Sequence, residues 1–237
     1  GYSSAASDVY KRQGILAKKL PISIQMGVFA MLLSLVIGIP MGLLMGRFKN
    51  RWPDKIGTAI IVLIQAVPAA VYYLYIQMYG TTALGVGLLF DASNWKYWVL
   101  PICSMSLGNV AFYGMWLRRY MVDELTRDYI KLARVKGLSS REIMFKHVLR
   151  NAMVPMVQYI PQSILLTVGG SLLMERFFSV PGMGPLLTDA IQRYDLNVVQ
   201  TLVILYAALG IVGVFLGDVL MMVVDPRITL TGKEEAR

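Results

Sequence analysis

Long apolar runs alternate with charged or polar segments along most of the chain. They occupy residues 24–46, 56–79, 97–117, 153–174 and 199–224. A helix of roughly 20 residues crosses a hydrocarbon core about 30 Å thick, whereas a strand with an open edge leaves its backbone groups unsatisfied in lipid. The pattern therefore predicts an all-α membrane protein with five visible transmembrane helices. The prolines within the runs are interpreted as bends in these helices: Pro40, Pro68, Pro101 and Pro161.

The composition agrees with a membrane protein, because 56% of the residues are hydrophobic and only 16% are charged. The formal net charge of +9 has the sign that nucleic acid attracts, but the basic residues lie between apolar runs rather than on one face of a soluble domain. No nucleic-acid partner is predicted. The single cysteine, Cys103, excludes an intramolecular disulfide and a multi-cysteine metal site, and it is expected to act as a small hydrophobic residue.

The first residues differ sharply from the rest of the chain in polarity. The stretch "SAASDVYKRQ" resembles the in-frame translation of a sequencing adapter, so residues 1–13 are interpreted as a non-native segment. On this interpretation the native sequence begins near Gly14 and an earlier part of it is missing. The predicted transmembrane domain covers residues 14–228, and a cytoplasmic tail covers residues 229–237.

Lysine and arginine are distributed unevenly between alternate loops, which predicts the orientation in the membrane. The loop at 47–55, the segment 118–151 and the part of the chain after Val224 are rich in these residues and are expected in the cytoplasm. The loops 80–96 and 176–197 hold few of them and are expected on the outer side. Lys18 and Lys19, before the first run, are exceptions to this pattern.

Two glycine patterns and one carboxylate stand out within the apolar runs. Gly38, Gly42 and Gly46 are spaced by four residues, as are Gly213 and Gly217, and such spacing favours close helix packing, although glycine is also simply common in membrane helices. Asp218 lies near the middle of the last run. An ionisable group there faces protein or water, so Asp218 is expected either to bond a neighbouring helix or to serve the transport path.

Motifs of common enzyme classes are missing from the sequence. It contains no Walker-type phosphate loop, no H-E-x-x-H pair and no G-x-S-x-G elbow, and its one histidine, His147, cannot form a metal site alone. No catalytic residue and no metal ligand are predicted. If the function needs chemical energy, a partner must supply it.

The basic segment "DYIKLARVKGLSSREIMFKHVLRNAMVP" predicts a corner between two short helices. Gly137 can end the first in a left-handed conformation, and Ser139 with Glu142 has the spacing of a capping box that starts the second. Ile130, Ala133 and Gly137 share one small-sided face, a shape suited to insertion into a groove of a partner. The alternative is a basic amphipathic segment that lies on anionic lipid.

This segment resembles the cytoplasmic coupling loop of ABC importer permeases, with Ala133 and Gly137 at the spacing of that loop. The proline at Pro155, rather than near Arg150, is similar to the oligopeptide/dipeptide/nickel branch. The stretches "LPISIQMGVFAMLLSLVIGIPMGLLMG", "SLLMERFFSVPGMGPLLTDAIQRYDLNVVQ" and "DPRI" also look like the first of the two permease subunits of peptide importers.

The resemblance implies a type I importer permease in the bacterial or archaeal cell membrane. In this family the subunit normally has six transmembrane helices. The resemblance also implies a second permease subunit, two cytoplasmic ATPases that bind ATP and magnesium, and an extracytoplasmic substrate-binding protein. The cargo is expected to be peptides, with nickel or another small solute as the alternative. An exporter or signalling protein with the same loop, and more weakly an intramembrane enzyme, stay open.

Two groups of residues are expected to meet these partners. The residues expected to couple to the ATPases are Tyr129, Ala133, Gly137, Ser139, Glu142, His147, Arg150 and Asn151. On the outer side, a turn fixed by proline and glycine is expected to join two short helices that contact the binding protein. The residues assigned to this outer element are Glu175, Pro181, Gly182, Gly184, Asp189 and Asp195.

Overall fold

The computed structural model describes the backbone of residues 2–169 and 171–225, and their side chains except at residues 2–13, 15, 16 and 168. This part of the chain forms helices and no strand. The expected tail at 229–237 and most of the "DPRI" stretch lie outside the described residues. The interpretation of residues 1–13 as non-native stays a prediction.

Ten α-helices follow one another in the described part of the chain, and a short π-helical segment, Ile143–Val148, leads into α7. Their bounds are α1 Tyr2–Arg47, α2 Trp52–Ala66, α3 Ala69–Leu84, α4 Lys96–Leu125, α5 Asp128–Val135, α6 Ser140–Glu142, α7 Leu149–Val168, α8 Leu172–Phe177, α9 Met183–Gln192 and α10 Leu196–Val224.

The number of apolar spans is smaller than the five expected. Within the described residues, Ala17–Arg47, Lys96–Leu125 and Leu196–Val224 are long and apolar enough to cross a membrane, and α2 with α3 makes a fourth if the bent pair counts as one span. The run at 153–174 is not among them. Its helix α7 ends at Val168 and carries Gln158 and Gln162, which make it less apolar.

The run at 56–79 is broken rather than continuous. Helices α2 and α3 meet at 101° around Val67 and Pro68. Proline has no N–H and disfavours helical geometry in the residue before it, and Val67 is extended with φ −85° and ψ 125°. Elsewhere the prolines do not end a helix, since Pro40, Pro101 and Pro161 lie inside α1, α4 and α7. Bends at these three positions stay a prediction.

The first glycine pattern forms the seam between α1 and α4. A Cβ atom added to Gly42 would lie 2.8 Å from the carbonyl oxygen of Gly114 and 2.9 Å from Cβ of Leu117. One at Gly38 would lie 3.0 Å from Cβ of Tyr113, and one at Gly46 2.9 Å from Cβ of Met121. The predicted close packing is confirmed, because each glycine admits a larger side chain of α4.

The second glycine pattern packs α10 against α7. A Cβ atom at Gly213 would lie 2.7 Å from Cα of Gln162, and one at Gly217 would collide with the carbonyl oxygen of Gln158. One residue further on, the Asp218 carboxylate accepts a hydrogen bond of 2.7 Å from Nε2 of Gln158. Asp218 therefore bonds a neighbouring helix, as one of its two interpretations expects, and its role in a transport path stays a prediction.

The largest buried cluster lies where α1, α4 and α7 meet the basic segment. It includes side chains of the long helices, such as Met31, Leu117 and Met156, together with Ile130 and Val148 from the basic segment. Close van der Waals contacts between such buried side chains stabilise the packing of the helices. The basic segment is thus anchored to the helix bundle and does not hang free of it.

Candidate functional site

The corner in the basic segment has the geometry that its sequence predicts. Helix α5 ends at Val135, and Gly137 takes a left-handed conformation with φ +82°. The N–H of Leu138 then donates to the carbonyl of Ala133 at 3.2 Å, which satisfies a group that the helix end would leave unpaired. A residue with a side chain rarely adopts this φ, so the sequence permits the corner at Gly137 in particular.

The helix after the corner begins with a capping box. The Ser139 hydroxyl accepts from the N–H of Glu142 at 3.3 Å, and the Glu142 carboxylate accepts from the N–H of Ser139 at 3.2 Å. The hydrogen bonds from Ser139, and after them Lys146 at 3.3 Å, hold the pKa of Glu142 below its usual value. The predicted box is confirmed. Helix α6, the π-helical segment and α7 then follow without a break.

The face of α5 that reaches solvent is not the small-sided one. Ile130 and Ala133, at 0% and 7% exposure, lie in the core cluster, whereas Leu132 and Val135 are 55% and 84% exposed. The expectation that Ala133 offers a small surface to a partner is therefore wrong, because its close contacts are made within the chain. Gly137 is exposed, and a Cβ atom there would meet nothing within 4 Å.

A polar network joins the two arms of the corner. The Asn151 amide donates to the Tyr129 hydroxyl at 2.8 Å, and that hydroxyl donates to the Glu124 carboxylate. Burial, followed by the hydrogen bond to Glu124, raises the pKa of Tyr129 to about 12. The His147 ring lies 6.4 Å from the Tyr129 ring. The predicted coupling residues on both arms are thus brought together.

A basic cavity opens beside this network. It has a volume of about 540 Å³ and is lined by Tyr129, Lys146, His147, Arg150, Asn151, Val154, Val224 and Asp225. Three of these side chains are basic residues of the segment after the corner. The surface of the corner therefore combines exposed apolar groups on α5 with a basic recess, a pattern suited to a partner that presents acidic groups.

The outer element consists of two short helices joined by a tight turn, as predicted. Helices α8 and α9 are connected through Pro181 and Gly182. A Cβ atom at Gly182 would collide with Ser23 and Glu175, and one at Gly184 would lie 2.8 Å from Cα of Leu172. Both glycines are therefore required for the turn to pass so close to α1 and α8.

Glu175 lies inside this element, contrary to its expected place at an outer gate. It is 0% exposed and accepts 2.7 Å hydrogen bonds from the Ser23 hydroxyl and from the N–H of Gly184. The Ser23 oxygen also accepts from the N–H of Met183 at 2.9 Å. Burial raises the pKa of Glu175. The carboxyl group ties the turn to α1 and is out of reach of a partner on the surface.

The other predicted outer residues divide between surface and structural positions. Pro181 is exposed, and Asp189 forms an ion pair of 3.2 Å with Arg176 at the surface. Asp195 caps α10, because its carboxylate accepts from the N–H of Val198 at 3.3 Å. Pro181 and Asp189 are thus the predicted residues that the structure leaves accessible at this end.

Asp54 is a residue that the sequence patterns did not single out. It is buried at the start of α2, and its carboxylate accepts hydrogen bonds from the Arg118 guanidinium and from the N–H of Asn50 at 2.8 Å. The available signal was one acidic residue in the first turn of a helix within the basic stretch "RFKNRWPDK". Nothing in that stretch identifies its partner 64 residues away.

Metal chemistry has no visible centre in the described residues, where no group of three or more histidine, cysteine, aspartate or glutamate side chains is placed to hold an ion. The features that the structure does bring together are the corner, its basic recess and the tied outer turn. They lie on the connections between the long helices.

Comparison with known proteins shows which family the chain resembles. The family model described as "Binding-protein-dependent transport system inner membrane component" matches residues 38–230. The oligopeptide transport system permease protein AmiC of Streptococcus pneumoniae is 36% identical over 87% of the chain, and the chain spans 42% of its length. The dipeptide transport system permease protein DppB of Lactococcus lactis is 36% identical, over 94% of the chain and 75% of the relative.

Solved structures resemble the chain in fold. An inward-facing structure of the MetNI methionine ABC transporter matches 90% of the chain and 98% of its own chain with a TM-score of 0.74 at 18% identity. An amino acid ABC transporter with histidines matches 93% and 97% with a TM-score of 0.64 at 15% identity. At these identities the likeness concerns the arrangement of helices.

Proposed function

Because the chain belongs to the family of binding-protein-dependent transport system inner membrane components, we propose that it acts as the membrane-spanning permease subunit of an ATP-driven peptide importer. The observation that carries this function is the capped basic corner between α4 and α7, which lies within the region that the family model matches. The chain has no ATPase motif of its own. The corner supplies a surface on which a partner ATPase can dock.

The proposed cargo is a peptide. Support comes from the relatives, since AmiC is named for oligopeptide transport and DppB for dipeptide transport, and both are 36% identical to the chain. A third relative, GsiC of Escherichia coli, is 30% identical and is named for glutathione transport. No relative among these is named for nickel, so peptides are preferred over the metal ion as cargo.

The proposed partners are a second permease subunit, two cytoplasmic ATPases and an extracytoplasmic binding protein. The ATPases would bind ATP and magnesium and would carry out hydrolysis, while this chain would hydrolyse nothing. Docking of an ATPase onto the corner is expected to place the exposed Leu132 and Val135 against an apolar part of the ATPase groove. Lys146 and Arg150 would then face acidic residues of that groove.

The corner would transmit movement of the ATPases to the helices that line the transport path. The capping box and the continuous helix from α6 into α7 make the corner a firm end of a long helix, so that a displacement of the corner also displaces α7. A shift between inward-open and outward-open states requires contacts that differ between them, and the docked ATPases would supply that difference.

The proposed orientation places residues 118–151 and the C-terminus in the cytoplasm. Support comes from the concentration of lysine and arginine in the loop at 47–55, in the segment 118–151 and after Val224, because such residues are enriched on the cytoplasmic side of membrane proteins. The outer element of α8 and α9 then faces the binding protein, with Pro181 and Asp189 as its accessible residues.

The experiment is to co-express the gene product with the products of its neighbouring genes, purify the complex and reconstitute it in liposomes. We expect it to bring down ATPase and binding-protein chains and to accumulate radiolabelled di- and tripeptides only with ATP inside. A purified complex that takes up nickel but no peptide would contradict the proposed cargo, and a chain that copurifies with no ATPase would contradict the importer function.

A further inference from the structure

Four aromatic side chains form a continuous cluster of ring contacts along the seam between α4 and α7. The group, called here the aromatic ladder, consists of Phe112, Trp116, Tyr120 and Tyr159. The ring of Tyr159, on α7, lies 5.5 Å from that of Phe112 and 6.4 Å from that of Trp116, and the Trp116 and Tyr120 rings are 5.7 Å apart. All four are half-buried, so each ring retains an accessible part.

A cation lies against the central ring of the ladder. The Arg119 guanidinium is 5.0 Å from the centre of the Trp116 ring, and the side chain is exposed. Among the carboxylates that the structure describes, none makes an ion pair with Arg119. The aromatic contact holds the guanidinium along the ladder while its hydrogen-bond donors stay available.

A polar contact lies just beyond the Phe112 end of the ladder. The Asn109 amide is 3.5 Å from the Thr167 hydroxyl, so both polar side chains are on the α4 and α7 sides of the same seam. The face of α10 is different, since its exposed residues include Val203, Ile204 and Ile211. Polar groups within membrane helices face protein or water, whereas an aliphatic face suits lipid.

A belt of aromatic residues at the membrane interface is the simpler explanation of such rings. The distance along the helix argues against it. From Phe112 to Tyr120, the ends of the ladder on α4, the helix rises about 12 Å, whereas each interfacial layer is only about 5 to 7 Å deep. The ladder is therefore longer than an interfacial layer is deep, so an interfacial belt does not account for all of its rings.

We propose that the aromatic ladder lines the path along which peptides cross the membrane, and that Arg119 pairs with the C-terminal carboxylate of the peptide. This inference rests on the proposed function. Aromatic faces contact apolar and cationic side chains alike, which suits cargo of varied sequence. A guanidinium binds a carboxylate through two parallel hydrogen bonds, and every peptide with a free C-terminus presents that group.

The ladder is tested by photo-crosslinking in the reconstituted complex. The photoreactive residue p-benzoylphenylalanine replaces Trp116 in one variant and Phe215 in the control, where the side chain is 61% exposed on α10. With a radiolabelled tripeptide, the binding protein and ATP present, we expect a peptide adduct at position 116 and none at 215. An active complex with no adduct at 116, or with equal labelling at both positions, would overturn the ladder.

The role of Arg119 is tested by transport kinetics with the same tripeptide. We expect Arg119→Gln to lower kcat/KM for uptake roughly tenfold, and Arg119→Lys, which keeps the charge, to lose only about threefold. Arg51→Gln, at an exposed arginine before α2, is the control and should transport at the wild-type rate. A wild-type rate for Arg119→Gln, or equal losses for the Gln and Lys variants, would overturn the pairing.

The two proposals fail in different ways. If the wild-type complex takes up no peptide, the proposed function fails and the ladder fails with it. If the wild-type complex takes up peptide while the Trp116 and Arg119 tests are negative, the importer function stands and the path lies on another face of the helices. Assembly is checked in every variant by copurification of the ATPases.

Discussion

The guanidinium of Arg118 donates two hydrogen bonds to the buried carboxylate of Asp54, and this pair joins α4 to the start of α2. Nη2 of Arg118 lies 2.8 Å from Oδ2 of Asp54, and the Asp54 side chain is 4% exposed. The same carboxylate accepts from the N–H of Asn50, so the loop between α1 and α2 is fixed by one side chain.

Loss of this carboxylate should destabilise the protein. We expect Asp54→Ala to lower the free energy of unfolding by about 2 kcal/mol, near the lower end for a buried charge pair because the Arg118 side chain is 29% exposed. Asp128→Asn, whose side chain is 95% exposed in its pair with Lys131, is the control and should change little. Thermal unfolding of the detergent-solubilised variants measures both. Equal melting temperatures for Asp54→Ala and the wild type would show that the Asp54–Arg118 pair contributes nothing to stability.

The glycine seam gives a second prediction. Gly42→Ala should destabilise the protein by about 1 to 3 kcal/mol, because the new methyl group meets the Gly114 carbonyl and Leu117 and forces α1 away from α4. Gly108→Ala is the matched control, since it lies on α4 and a Cβ atom there meets nothing within 4 Å. The comparison is again by thermal unfolding. A stable Gly42→Ala protein would mean that the seam relaxes easily.

The buried Glu175 should make stability depend on pH. Its raised pKa means that the folded state favours the protonated carboxyl group, so this contribution is complete below the usual value of 4.5 and is lost as the pH rises through the raised pKa. Melting temperatures from about pH 4.5 to 8 should fall more for the wild type than for Glu175→Gln. The accessible Asp189→Asn serves as the control and should follow the wild type; parallel curves for Glu175→Gln would refute the prediction.

The corner is tested by two glycine substitutions with the same local cost. Gly137 and Gly85 both have positive φ and open space around a Cβ atom, so valine at either costs about 1 to 2 kcal/mol in backbone strain. We expect Gly137→Val to weaken ATPase copurification and substrate-stimulated ATP hydrolysis, and Gly85→Val, in the loop proposed to face the outer side, to preserve both. Normal coupling by Gly137→Val would refute docking at the corner.

The orientation is tested with single cysteines in a Cys103→Ala background, which is needed because Cys103 is exposed. Asn94→Cys lies in the loop before α4 and Ser140→Cys lies directly after the corner, and both positions are exposed. An impermeant maleimide should label them from opposite sides of the membrane. Labelling of both from the same side would contradict the proposed topology.

Local sequence rules predicted the parts of the structure that depend on neighbours in the chain. Gly137 and the Ser139–Glu142 box specify the corner, because a left-handed residue and a helix cap need only the residues around them. The glycine spacing in α1 was sufficient for the seam, since a four-residue repeat lies on one side of a helix.

The errors concern residues whose role is set by distant parts of the chain. Ala133 and Glu175 were expected at surfaces, but their burial depends on the core cluster and on Ser23, which lies 152 residues from Glu175. The pairing of Asp54 with Arg118 likewise depends on which helices pack together. Hydrophobic pattern alone carries no such information.

The seam of α1 and α4 has a mechanical consequence. Its three glycine notches are four residues apart, or about 6 Å along the helix, and each holds one side chain of α4, from Tyr113, Leu117 or Met121. Sliding α1 along α4 by a fraction of that distance would drive these side chains out of register with the notches, so the pair resists shear. Helices α1 and α4 therefore move as one rigid unit, and the other helices must move relative to this pair when the protein changes conformation.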